Sequence, residues 1–183
     1  MLIEQLFESG VMQMGSSRVD PKRQVGVFNP NAVAGLPALR AEKMKEFAWI
    51  AGDWSHENEV PATRANPAYT DIGNGKFSLC EKSNWICMVA ADGRETPNIT
   101  FDPFGKQWIY VLTNGAYGML RSEDGWRDNQ ISFTGPMSML GVNCEWRMRW
   151  TKESDDRFSF INEERDAAGS WIYIDEWHFM RKV

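Results

Sequence analysis

The chain has 183 residues and 20 Lys plus Arg against 25 Asp plus Glu, a formal net charge of −5. This length fits one domain with at most a small appendage, and its core needs no metal or disulfide. The acidic balance argues against nucleic-acid binding through phosphates, and no stretch approaches the roughly 20 apolar residues of a membrane span.

Leu2, Ile3, Leu6, Phe7, Val11 and Met14 are spaced as on a short amphipathic helix over residues 2–14. Gly10 weakens it and Gly15-Ser16-Ser17 ends it. The opening residues carry neither the basic segment nor the long apolar run of a secretory signal. Residues 15–35 are rich in Gly, Pro, Asn and Ser and read as a linker or draped arm. The chain therefore divides into a helix and arm (1–35) and a main domain (36–183). So short a helix is marginal without a partner surface, and packing on a second subunit in a homodimer is one way to supply it. A second helix is predicted from Pro37 to Ile50, with Leu39, Met44, Phe47, Ala48 and Ala51 as its apolar stripe and Gly52 at its end.

From Asp53 the pattern changes to period two. Strands are predicted at 53–60, 76–90, 97–102, 106–113, 116–121, 129–134, 142–151, 156–165 and 170–181. Turn signals separate them, among them Asp102-Pro103-Phe104-Gly105, Asn114-Gly115, Gly135-Pro136 and Ala168-Gly169. Short strands joined by tight turns, with no helix between them, point to a mainly β fold, an antiparallel barrel or a sandwich. Alternation is clearest over 142–151, where Val142, Cys144, Trp146, Met148 and Trp150 oppose Asn143, Glu145, Arg147, Arg149 and Thr151.

The segment Phe47-Ala48-Trp49-Ile50-Ala51-Gly52-Asp53-Trp54, followed by antiparallel strands, resembles the opening of lipocalin-like (calycin) barrels. With Phe101-Asp102-Pro103 before Trp108, and Gly169-Ser170-Trp171 before Glu176 and Arg181, it is similar to a bacterial lipocalin-like family of unknown function. The resemblance spans about residues 38–182 and implies an up-and-down antiparallel barrel of roughly eight to ten strands, preceded by a short helix and an N-terminal arm. It also implies a structural plug in which Arg181 lies over Trp54 at the closed end. It implies no reaction, since fold does not fix function.

Chemistry-bearing residues are few. With only two histidines, His56 and His178, a three-histidine zinc site is ruled out, and no metal or other cofactor is expected. His56 shares a face with Trp54, which aims it either into a barrel or at the surface beside Glu57. His178 occupies a C-terminal strand, as the proximal ligand does in small haem-binding barrels, but on the face opposite Arg181. Arg147 and Arg149 read either as members of a solvated face with Glu145, Glu163 and Arg165, or as a clamp for a bound anion. Tyr110, Tyr117 and Tyr173 offer hydroxyls, and Glu81, Glu164 or Asp175 could act as a base if burial raised its pKa. Cys80 and Cys87 fall on opposite faces of the predicted 76–90 strand, and with Cys144 they suit buried thiols in a reducing, cytoplasmic setting.

Nine Trp, ten Phe and four Tyr point to a core or a lined cavity without deciding between them. The leading expectation is a pocket for a small apolar or aromatic molecule, lined by residues from among Trp85, Trp108, Tyr110, Trp146, Arg147, Tyr173 and His56. Trp146 and Arg147 lie on opposite faces of one strand, so only one of them can line it. The alternatives are a cofactor-independent isomerase, lyase or cyclase using acid–base groups in the same cavity, a haem-binding barrel, and a barrel filled by its own side chains. A charged group sealed in the cavity would separate an enzyme from a carrier.

Overall fold

A computed structural model describes residues 2–183 except Ala65, Glu81 and Ser83, with Asn114 described by its backbone alone. The chain forms two compact units, one reaching to Arg40 and one running from Ala41 to Val183.

In the first unit, helix α1 (Leu2–Glu8) is shorter than its apolar spacing predicts. Gly10 leaves the helical region with φ +73°, and the chain turns into a hairpin of β1 (Met12–Ser16) and β2 (Gln24–Phe28). Residues expected to form a linker thus contain a strand pair. Two glycines explain why composition hid it. A Cβ on Gly15 would meet Val27 at 2.6 Å, and one on Gly26 would meet Met12 and Phe7 at 2.8 and 3.0 Å. These glycines serve close packing rather than flexibility. Asn29 then caps α2 (Pro30–Val33), its side chain accepting from the Asn31 amide.

The predicted second helix is α3 (Leu36–Met44) followed by a tighter 3-10 turn over Lys45–Ile50. The rest is strand: β3 (Gly52–Val60), β4 (Tyr69–Cys80), β5 (Trp85–Val89), β6 (Glu95–Asp102), β7 (Gln107–Asn114), β8 (Ala116–Ser122), β9 (Gln130–Met139), β10 (Val142–Lys152), β11 (Arg157–Arg165) and β12 (Trp171–Arg181). The ten strands make one closed antiparallel barrel, each paired with the next in sequence and β12 closing on β3. No helix among the described residues is long and apolar enough to cross a membrane.

Two predicted strands are corrected. The segment 76–90 is a hairpin, β4 and β5, with Ser78 opposite Cys87 and Cys80 opposite Trp85. Folding back puts Cys80 and Cys87 on the same side, and they form a disulfide. The thiol reading fails for these two, and with it part of the ground for a reducing compartment; Cys144 is free. The strand predicted to end at Gly135-Pro136 runs on to Met139. A Cβ on Gly135 would lie 2.7 Å from the Met119 carbonyl oxygen of β8, so this glycine admits a close strand crossing rather than a turn. Asn98-Ile99-Thr100 has the form of a glycosylation sequon, but here Asn98 has a structural role. Asn98 is buried, accepts from the Met88 amide at 3.0 Å and donates to the Val111 carbonyl at 3.1 Å, holding three strands across a bulge in the β5–β6 ladder.

One end of the barrel is sealed. Trp54 is fully buried and donates to the Ile50 carbonyl at 2.8 Å. The Arg181 guanidinium lies 4.3 Å from its ring centre and donates to the Ala51, Trp49 and Asp155 carbonyls. Phe47, from the 3-10 turn, packs on Trp108, Trp126, Phe133 and Trp150. This floor absorbs much of the aromatic excess.

Candidate functional site

Above the floor the barrel interior opens into a cavity of about 760 Å³. Its walls come mainly from the inward faces of β10, β11 and β12. On β10 that face is Val142, Cys144, Trp146, Met148 and Trp150, the apolar side of the alternation. Trp150 stacks on Phe158 and Phe160, and Phe160 stacks on Trp177, so flat rings run from strand to strand. The rim toward the β9–β10 turn is apolar and exposed, with Met139, Leu140 and Val142.

One polar cluster interrupts this wall. Asn162 on β11 pairs with Asp175 on β12, and its amide donates to the Asp175 carboxylate at 2.7 Å. Trp146 Nε1 donates to Asn162 Oδ1 at 3.3 Å, which fixes the orientation of that amide. Trp177 and Asn58 donate to Asp175 as well. Burial pushes the Asp175 carboxyl above its ordinary value, and these hydrogen bonds only partly offset the shift. The cluster sits beside a β-bulge between Asn162 and Glu163, which re-aims the end of β12 and brings Ile174 to the cavity beside Asp175. Asn58 Oδ1 and Trp150 Nε1 are buried without a partner. Across the cavity Tyr110 has its phenol pushed up to about 12 by burial, so it stays a neutral donor.

Of the residues singled out from sequence, Tyr110 and Trp146 line this cavity. Trp108 shares the inward face of β7 with Tyr110 but is packed into the floor against Phe47 and Phe101. Trp85 is half-buried opposite Cys80 in the β4–β5 hairpin. Tyr173 is 42% exposed and lies beside a shallow surface hollow with Tyr69. His56 packs on Trp177 and Phe179, over Gly73, where a Cβ would meet its Nε2 at 2.7 Å. Burial lowers its pKa, against the charge of Asp71.

Arg147 does not face the interior. It donates to Glu163 at 2.6 Å on the outer face and lies 4.3 Å from the Trp171 ring centre. Arg149 shares Glu163 at 2.9 Å. The anion-clamp reading is therefore corrected: an inward Trp146 forces its neighbour outward. His178 lies beside Glu176 and Glu59, 3.8 and 4.0 Å away, and neither histidine lines the cavity, so the haem reading has no ligand there. Of the candidate bases, Asp175 and Glu164 line the cavity, while Glu81 lies outside the described residues. Asn58 and Asn162 were not foreseen. Their inward positions were readable from alternation with Trp54 and Phe160, but two asparagines in strands carry no motif.

The sequence matches no protein-family model and no curated protein. The fold is similar to that in the crystal structure of Rv2717c from M. tuberculosis, with TM-score 0.49 and 10% identity over 79% of this chain and 99% of that one. It is also similar to a protein of unknown function of the DUF3598 family from Nostoc punctiforme, with TM-score 0.38 and 12% identity over 73% of this chain and 48% of that one. A third likeness is to EF1p2_mFAP2b bound to DFHBI, with TM-score 0.31 and 13% identity over 78% of this chain and 98% of that one. What stands of the lipocalin resemblance is the closed β-barrel; membership of that family is not shown.

Proposed function

We propose that this barrel binds a small, largely apolar or aromatic molecule inside its cavity. The observation that carries the reading is the open space of about 760 Å³ beside a polar cluster on an otherwise apolar wall. Drug-sized ligands occupy sites of roughly 300–1,000 Å³ with few polar anchors, and the cavity fits both criteria. A barrel stabilised only by its own side chains would fill this space, as the floor does.

Nile red, a neutral solvatochromic dye, tests the reading. Its emission is expected to rise and shift to the blue with the parent protein. Ala116→Trp, which adds bulk at the cavity wall away from the polar cluster, is expected to weaken dye binding at least about tenfold with an unchanged far-UV circular dichroism spectrum. Equal binding by both proteins would place the dye elsewhere and end the proposal. Catalysis in the same cavity is a second reading, favoured by Asp175 alone: it is a carboxyl in an apolar wall whose raised pKa suits a general base.

A further inference from the structure

We infer that the cavity selects ligands carrying a cationic or hydrogen-bond-donating head, amines above all, and discriminates against carboxylates, a selectivity that presupposes the cavity binding proposed above. The charged side chains among its described lining residues are Glu164 and Asp175, both acidic, and no Lys, Arg or His lines it. Arg147 and Arg149, which alternate with the inward residues of β10, are on the outer face and both bond Glu163, and Arg165, next to Glu164, donates to the Gly169 carbonyl. His56 packs against Trp177, and burial lowers its pKa, favouring its neutral form. A bound carboxylate would therefore add a further negative charge to an acidic, largely apolar wall with no cationic side chain to pair it.

The polar cluster is built to receive a donor. Asp175 takes hydrogen bonds from Asn162, Trp177 and Asn58, which fix its carboxylate, yet a carboxylate offers about four acceptor sites. Asn58, 7% exposed, contributes its amide nitrogen to Asp175 and leaves Oδ1 buried and unpartnered. Buried acceptors are rarely left without a donor. An ammonium carries three donors and can serve Asp175 and, with a small rotation of the amide, Asn58 Oδ1. Tyr110 and Trp150 can donate to a neutral oxygen elsewhere on the ligand, but neither supplies positive charge.

The test is displacement of Nile red from the full-length protein at neutral pH by decylamine, decanol and decanoate, which share one chain and differ in the head. Decylamine is expected to displace the dye at a concentration at least about tenfold below decanoate, with decanol between them. Asp175→Asn is expected to shrink the amine-to-alcohol ratio at least about threefold, with each displacement scaled to the dye affinity measured for that variant. Should Asp175→Asn fail to give the parent's far-UV spectrum, Glu164→Gln is read instead, with the same direction expected. Decanoate displacing as well as decylamine overturns the inference, as does an amine preference unchanged in the folded variants. Loss of all dye binding in the parent would instead overturn the cavity reading, and this selectivity with it.

Discussion

At the scale of single residues, Trp54 and Arg181 seal one end of the barrel. The indole is fully buried, fixed by its bond to Ile50, and covered by a guanidinium that also ties three backbone carbonyls. Gly52 makes this possible, since a Cβ there would sit 2.5 Å from Arg181 Nη1 and the residue holds φ +135°. Trp54→Ala removes ring packing and exposes the arginine's bonds, and is expected to cost about 3–5 kcal/mol in urea unfolding. Dye affinity of the folded fraction should stay within about twofold of the parent, because Trp54 lies in the floor rather than in the cavity wall. A variant that unfolds like the parent but loses the dye would reverse that assignment. The resemblance to lipocalin-like barrels implied this pair, whereas the sequence left open whether Trp146 or Arg147 faces inward. Asp175 was named as a candidate base, but its burial was not readable, because it depends on Asn58 and Asn162 from two other strands.

At the scale of elements, the β9–β10 hairpin forms an apolar, exposed part of the cavity rim. Its turn places Leu140 at φ +50° and Gly141 at φ +83°, the left-handed pair of a tight hairpin. Glycine adopts this conformation freely; leucine does so at a cost of about 1–2 kcal/mol. Leu140 is also 93% exposed, so little packing offsets that cost. Leu140→Asn is accordingly expected to raise stability by about 0.5–1 kcal/mol, read as a higher Tm. A lower Tm would mean that Leu140 makes contacts that its exposure does not reveal. The predicted elements that failed did so for related reasons. The turn between β4 and β5 interrupts what reads as one strand from 76 to 90, and Gly15 and Gly26 made a packed hairpin look like a linker.

At the scale of the molecule, the buried and paired carboxylates give stability opposing dependences on pH. Burial raises the Asp175 pKa, so the native state holds this proton more tightly than the unfolded chain. Its contribution is complete below the ordinary value of 3.8 and is lost as pH rises through the native value. Burial also pushes Glu163 upward, but hydrogen bonds from Arg147 and Arg149, with their charges, outweigh it and lower its pKa. That contribution is present above the ordinary value of 4.5 and is lost as pH falls through the native value. Urea midpoints from about pH 3 to pH 8 should therefore show Asp175→Asn gaining on the parent as pH rises above 3.8. A constant offset at every pH would mean that Asp175 titrates alike in the folded and unfolded chains.

The sequence by itself determined the class of this protein: period-two alternation and turn residues specify antiparallel strands, and each strand's two faces follow from local spacing. The Trp54 and Arg181 plug followed from the resemblance to lipocalin-like barrels, not from spacing alone. Only the tertiary structure decided that ten strands close into one barrel, which face of each turns inward, and where rings give way to open space. Those outcomes depend on strand register, on a bulge between Asn162 and Glu163, and on close crossings at glycines. They arise between strands far apart in sequence, so no local pattern carries them.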